Sequence, residues 1–476
     1  MDYLEILETY RDEIIKTLAD LVAFPSVLAP AVKTADGEVL PFGRNVHDAY
    51  EYMMCAGDRL GFKTFNADNY GGHIEFSSED EKAETLAVVG HLDVVPAGDG
   101  WTSDPFTLEE RDGVLVGRGV VDDKGPLVAA LYAMKALKES GFEPKKNIRM
   151  ILGLDEETCK GGMTYYLDKA GQPDMGFTPD SDFPLVNGEM GILVFDLAQK
   201  LTKQISKEGL RLTKMEAGKA FNAVPGSARA VVAGDEKYYE LIKDRLAQFV
   251  VETGYTIKAK KQGSSLVVEA TGVATHGAHP DRGLNAISIL MEFLGRLQFN
   301  NEEINDFIDF YNDHIGFDMH GERMGCAFSD EPSGKLILNP AIVRITEDIA
   351  TLTVNIRYPV TCTSEEVYQG IENTIGKNNI GVVKDIDFRP IYQAADSPFV
   401  GTLMDAYRSE TGDMDAEPFS IAGGTYAKDV NNTLAFGGLF PGEEDTMHQA
   451  DEHKTVDNLM KMARIYARAI YSICCE

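Results

Sequence analysis

Basic residues are scarce in this chain. Its 45 lysines and arginines face 76 aspartates and glutamates, a formal net charge of -31. Nucleic-acid binding needs a basic stripe against the phosphates, so this balance excludes it as a main activity. The surplus acid reads as a solvated surface. Long apolar runs are missing too. No stretch reaches the roughly 18 uninterrupted apolar residues of a membrane span. The opening "MDYLEILETYRDEIIKTLADLVAFPS" lacks the basic flank and continuous apolar segment of a secretory signal. No membrane partner is expected. The six cysteines (Cys55, Cys159, Cys326, Cys362, Cys474, Cys475) are scattered with no CxxC pair. That spacing argues against a disulfide framework or a thiolate metal site and suits reduced thiols in a cytoplasmic protein.

What the chain does contain is globular throughout. At 476 residues it exceeds the size at which one hydrophobic core keeps growing, so two domains are expected. Four segments repeat one pattern, an apolar run that stops on acids or histidine. "TLAVVGHLDVVPAGDGW" ends a strand on His91 and Asp93. "GVLVGRGVVDDKGPLVAALYAMKALKESG" reads as strand, acidic turn at Asp122, then helix, with Pro126 in the first turn and Gly141 at the end. "NIRMILGLDEETCKGGMTYYLDK" places Glu156 and Glu157 between a strand and a helix, and "MGFTPDSDFPLV" places Asp180 after a short strand. Strands alternating with helices predict an α/β domain with a mostly parallel sheet, whose sites gather beyond the carboxyl ends of the strands.

From about residue 187 the texture changes to strands such as "GILVFDLAQKL" and "AIVRITEDIATLTVNIRYPV", with amphipathic helices near 235–252, 283–298, 301–315 and 363–377. Strand-then-helix texture then returns. The expected organisation is a catalytic domain of residues 1–186 and 391–476, interrupted by an inserted α+β lid domain at 187–390.

Taken singly, each polar residue has an ordinary explanation. His91 could be a satisfied core histidine, Asp122 a helix cap, Glu156-Glu157 a solvated first turn, and Asp180 the start of an Asx-turn. Jointly they crowd one histidine and four acids at one end of the sheet, and "GEEDTMHQADE" adds His448. Burying so many carboxylates together requires compensating positive charge. Histidine nitrogens and carboxylate oxygens without thiolates suit two divalent metal ions, with Zn2+, Co2+ and Mn2+ all fitting the donor set.

"GHLDVVPAGDGW", "GRGVVDDKGP", "DEET", "TPDSDFPL", "ATHGAHPDRGLNA" and "MHQADE" together resemble the di-zinc aminoacylase/dipeptidase/carboxypeptidase family of metallopeptidases. Within it they are nearest the bacterial PepV-type (β-Ala-Xaa, carnosinase-like) dipeptidases. The resemblance implies that His91 and Asp180 hold one metal, Glu157 and His448 the other, that Asp122 bridges them, and that a cis peptide joins Asp122 to Asp123. It implies that Asp93 orients His91 and that Glu156 is the general base for the bridging water. His276, rather than His279, would stabilise the oxyanion from the lid. Asn222 and Arg357 would grip substrate, Arg357 by its terminal carboxylate, joined by the backbone of Gly423, Gly424 and Thr425. Asp123 is a candidate for the substrate amine. The pattern departs from the family at Cys159, where many relatives carry glycine, and at Tyr426-Ala427-Lys428 after the Gly-Gly-Thr loop. The implied activity is hydrolysis of unblocked dipeptides by a monomer. The rivals are an N-acyl-amino-acid amidohydrolase of the same fold and a non-catalytic metal-binding scaffold.

Overall fold

The computed structural model describes residues 2–158, 161–202, 208–376 and 378–475. The chain forms two compact units. One comprises Met1–Gly188, Ile391–Ser420 and Gly424–Glu476; the other comprises Glu189–Pro390 and Ile421–Gly423. Cys159 lies outside the described residues.

The first unit is built on a nine-stranded sheet. Its path runs Ile391–Tyr392, Val186–Glu189, Thr433–Ala435, Met175–Thr178, Thr85–His91, Asn147–Gly153, Gly72–Phe76, Lys63–Asn66, and the ninth strand, Phe419–Ile421, pairs with Val186–Glu189 off this path. The middle is parallel: Thr85–His91 pairs in parallel with both Asn147–Gly153 and Met175–Thr178, and Met175–Thr178 with Thr433–Ala435. The flanks turn antiparallel. All seven residues of the central Thr85–His91 strand are buried. A strand covered on both faces reads as a continuous apolar run, as "TLAVVG" does. The helices Lys124–Glu139 and Val456–Cys474 share one core with it through Leu127, Leu131, Leu459 and Tyr466.

One sequence expectation fails here. The run before Asp122 was expected to be a strand of the central sheet. Val114–Val116 instead belongs to a separate three-stranded sheet with Glu109–Arg111 and His453–Thr455. Three apolar residues flanked by glycines pair as readily with a short outer strand as with a core one, and periodicity cannot separate the two. Asp122 is therefore delivered by a loop.

The second unit carries one antiparallel eight-stranded sheet. Its order is Thr256–Gln262, Ser265–Thr271, Ser227–Ala233, Arg211–Ala217, Ile337–Ile345, Ile349–Tyr358, Gly191–Lys200, Gly381–Phe388. The helices Glu236–Thr253, Ala286–Leu294, Glu302–His314 and Ser364–Ile375 form a core with one face, which includes Phe195, Met215, Val268, Leu338 and Ile356. Successive side chains of a strand point to opposite faces. Ile337, Asn339, Asn355 and Arg357 therefore point away from the helices, and Ile337 lies directly across from Arg357. Over that other face runs a short pairing of Ala223–Val224 with Thr275–His276, tied down where Asn339 Nδ2 donates to the Ala223 carbonyl at 3.0 Å.

Candidate metal centre

The candidate centre is assembled where the parallel strands of the first unit end. His91 is the last residue of its strand and is 1% exposed. Its Nδ1 lies 2.9 Å from the Asp93 carbonyl and 3.4 Å from an Asp93 carboxylate oxygen. The Asp93 carboxylate also accepts the backbone N–H groups of Glu156 (3.2 Å) and Glu157 (3.1 Å). Asp93 thus sets both the imidazole and the turn that carries the two glutamates. With Nδ1 so engaged, Nε2 faces the acids, 2.8 Å from Asp122 Oδ1 and 3.6 Å from Asp180 Oδ2.

The other Asp122 oxygen, Oδ2, lies 2.8 Å from His448 Nε2, which is also 3.3 Å from Glu157 Oε2. His448 adopts a left-handed backbone, φ 61°, which turns its ring back toward the acids. Two triads result, His91–Asp122–Asp180 and Asp122–Glu157–His448, each with its ligand atoms within 4.8 Å of one another. Asp122 is common to both, and its bond to Asp123 is cis.

Electrostatics mark the cluster as short of positive charge. Burial, reinforced by Asp180, pushes the Glu156 carboxyl well above its ordinary range. Burial likewise raises Asp180, with Asp122 adding to it, and raises Glu157 against the pull of His448. Burial opposes ionisation of Asp122 as well, yet His448 and His91 hold it below the usual carboxylate range. His448 is pushed up to about 11 by its bonds to Asp122 and Glu157. Glu157 Oε1 is buried with no hydrogen-bond partner, an orphan that a cation would satisfy. Two sets of one nitrogen and two carboxylates, sharing Asp122, fit a pair of divalent cations.

Residues 87–472 match the sequence profile of "Peptidase family M20/M25/M40". The chain belongs to this family. Among curated proteins, this peptidase is 35% identical over 475 residues to "Putative dipeptidase" of Staphylococcus epidermidis, covering 99% of each chain. It is 35% identical over 466 residues to "Putative dipeptidase YtjP" of Bacillus subtilis, 97% of each. Its fold is shared with human carnosine dipeptidase 1 (17% identity, TM-score 0.53, 98% of each chain). The aminoacylhistidine dipeptidase of Vibrio alginolyticus shares it too (14% identity, TM-score 0.56, 96% of each).

Behind the candidate ligand atoms stand residues that sequence reading missed. Glu452 accepts the N–H groups of Gly119 (3.0 Å), Val121 (2.8 Å) and Asp122 (3.2 Å), and takes Arg118 Nη1 at 2.7 Å. This buried carboxylate shapes the loop that delivers Asp122. Its only sequence signal was its place in "MHQADE", four residues after His448; the partner Arg118 is 334 positions away. Tyr426, noted above as a departure, is buried and donates to Asp155 Oδ1 at 2.8 Å, with its ring 6.5 Å from that of His91. A Cβ on Gly153 would meet that ring at 2.2 Å, so glycine at this strand end makes room for it. The same holds at Gly90, where a Cβ would lie 2.2 Å from Asp123 Oδ2. Asp123 is fully buried, accepting the His91 N–H at 3.2 Å. It therefore cannot receive a substrate amine, and that expectation is withdrawn.

The remaining expected residues lie in or beside the second unit. Asn222 precedes the strand pair, its carbonyl accepting the Gly277 N–H at 2.6 Å, while Ala223 is the register partner of His276. His276 Nδ1 accepts the Ala278 N–H at 3.3 Å, so the proton of the neutral ring resides on Nε2. Arg357 is 4% exposed, and its Nε has no hydrogen-bond partner. Burial lowers its guanidinium only to about 10, leaving it a cation at neutral pH. Gly423 groups with the second unit, Gly424 and Thr425 with the first. The Thr425 hydroxyl caps the turn Tyr426–Lys428 by accepting the Ala427 N–H at 3.1 Å.

Proposed function

We propose that this peptidase is a metal-dependent dipeptidase acting on unblocked dipeptides. The observation that carries the reading is the sharing of Asp122 between the two triads, the donor arrangement of a two-cation site. The names of the curated relatives point the same way. We assign His91 and Asp180 to one ion, Glu157 and His448 to the other, and Asp122 to both, with Zn2+ as the native metal and Mn2+ or Co2+ as substitutes. When bound, two such cations acidify a water molecule and polarise the scissile carbonyl.

The protein's own residues do the rest. Glu156, whose carboxyl is raised by burial and by Asp180, takes the proton of the attacking water and passes it to the leaving amine. Asp93 keeps His91 in one tautomer. His276 Nε2–H donates to the carbonyl oxygen as charge develops there. Arg357, with Asn222 and the Gly423-Gly424-Thr425 backbone, binds the free terminal carboxylate. An unpartnered Nε on a buried arginine supports this assignment, because a buried guanidinium is stable only with an anion beside it.

The chain should act as a monomer in the cytoplasm. Both edges of the eight-stranded sheet are charged, with Lys258, Lys260 and Lys261 on one and Lys384, Asp385 and Asp387 on the other, which discourages strand addition between copies. The described cysteines are free thiols, as in a reducing compartment. No helix among the described residues is long and apolar enough to cross a membrane. A kinetic panel of dipeptides, tripeptides and N-acetyl amino acids, run on enzyme reconstituted with each metal, tests the activity. Dipeptides should be cleaved fastest. Preferential cleavage of the N-acetyl compounds would make it a deacylase, and no cleavage at all a binding scaffold.

A further inference from the structure

We infer that Ser26 and Lys124 are positioning residues of the metal centre. Both are anchored in one short stretch, residues 21–26, and through it they set the distance between the loop of His91 and Asp93 and the loop of Asp122. The inference rests on the two-cation reading of the cluster. Residues 21–26 lead out of the helix Arg11–Val22 at its C-terminal end. Ser26 is fully buried; its hydroxyl donates to the Leu92 carbonyl at 2.6 Å, and its own carbonyl accepts the Val94 N–H at 3.0 Å. These two bonds bracket Asp93, which sets both the His91 imidazole and the turn of Glu156 and Glu157. Lys124 approaches the same stretch from the other loop. It lies two residues after Asp122, is fully buried, and donates through Nζ to the carbonyls of Leu21 (3.1 Å) and Phe24 (2.8 Å). The Ser26 N–H donates to that Phe24 carbonyl at 2.8 Å, which closes the connection.

The last carbonyls of a helix lack partners within it, and a cation there is favoured by the helix dipole. An ammonium stripped of water is nevertheless costly, and a glycine could end the helix without one. What Lys124 adds is a tie from the helix end to the Asp122 loop. Its stem packs on that loop: a Cβ on Gly119 would meet Lys124 Cδ at 2.9 Å and Val94 Cγ1 at 3.3 Å. His91 ends a strand of the central sheet whereas Asp122 sits on a loop, so no shared ladder fixes the 2.8 Å between His91 Nε2 and Asp122 Oδ1. One direct bond joins the two loops, from the His91 N–H to Asp123 at 3.2 Å. A single attachment leaves rotation about it free. The brace through residues 21–26 supplies a second, and two attachments fix orientation as well as distance.

The test combines zinc affinity, measured by chelator competition, with the visible absorption of the cobalt-substituted full-length protein. Ser26→Ala should weaken zinc binding about tenfold and Lys124→Met about 100-fold, the range seen when support behind a ligand is removed. Both variants should shift the cobalt absorption, which reports ligand geometry and which a mere loss of fold stability would not move. Because both residues act through one stretch, the double variant should lose about 100-fold rather than the about 1,000-fold of independent effects. Ser26→Ala removes one hydroxyl and strands no charge, so it remains decisive if Lys124→Met fails to fold. A Ser26→Ala protein with wild-type zinc affinity and cobalt absorption would overturn the brace while the two-cation reading stands, and so would losses that add in the double variant. A wild-type protein that binds fewer than two zinc ions would remove the reading and the brace together.

Discussion

Glu452→Gln tests whether the metal centre depends on a carboxylate that touches no metal. Glu452 and Arg118 are each 1% exposed and 2.7 Å apart. The same carboxylate accepts three backbone N–H groups of the Asp122 loop. Burial pushes its carboxyl upward, and those N–H groups and Arg118 pull it back toward ionisation. The amide keeps the size of the side chain but removes its charge and turns an NH2 toward N–H donors. Breaking a buried pair by neutralising one partner costs about 3–5 kcal/mol, because the other charge stays buried alone. Displacing the loop should weaken metal binding about 10- to 100-fold, the usual loss when a residue that orients a ligand is removed. The protein carries its own reporter. Its one tryptophan, Trp101, lies 5.2 Å from the Arg118 guanidinium, so urea unfolding followed by tryptophan fluorescence reads this cluster directly. Chelator competition measures the zinc affinity. Adding Arg118→Met to Glu452→Gln should restore part of the stability, since no charge is then stranded. A single variant within about 1 kcal/mol of wild type, with unchanged zinc affinity, would refute the reasoning.

Glu156→Ala should retain both metals by elemental analysis while kcat falls at least about 10²-fold, as expected for loss of a general base; loss of the metals instead would exchange its role with that of Glu157. Arg357→Leu, or amidation of the substrate C-terminus, should each lower kcat/KM by about 10², and the two losses should not add if both remove the same charge-assisted contact. Stability should fall as pH drops from about 6.5 to 4, because burial and Arg149 hold the His73 imidazole down to about 4. The unfolded chain then binds a proton that the native ring refuses, and the loss is complete below the native value at about 3 kcal/mol in all. Denaturant midpoints across this range should show it, and His73→Gln should flatten the slope.

The sequence by itself determined the chemistry and the broad order of the elements. The buried central strand was legible because a strand covered on both faces must be continuously apolar, and "TLAVVG" is. The metal-ligand candidates His91, Asp122, Glu157, Asp180 and His448 were legible because acids and histidines rarely end apolar runs several times over in one chain. The structure brings all five together. What only tertiary structure decided concerns residues whose roles depend on distant partners. Asp123 carries the same side chain as Asp122, yet one faces the shared centre and the other is sealed behind Gly90. Glu452 is one acid among 76 acidic residues until Arg118 and the Gly119–Asp122 backbone arrive beside it. That the strand before Asp122 joins an outer sheet was not legible, because three apolar residues hold too little periodicity to indicate a partner. Ligand identity is a local property of side-chain chemistry, whereas burial and hydrogen-bond partnership arise here from contacts between segments tens to hundreds of residues apart, which no local pattern encodes.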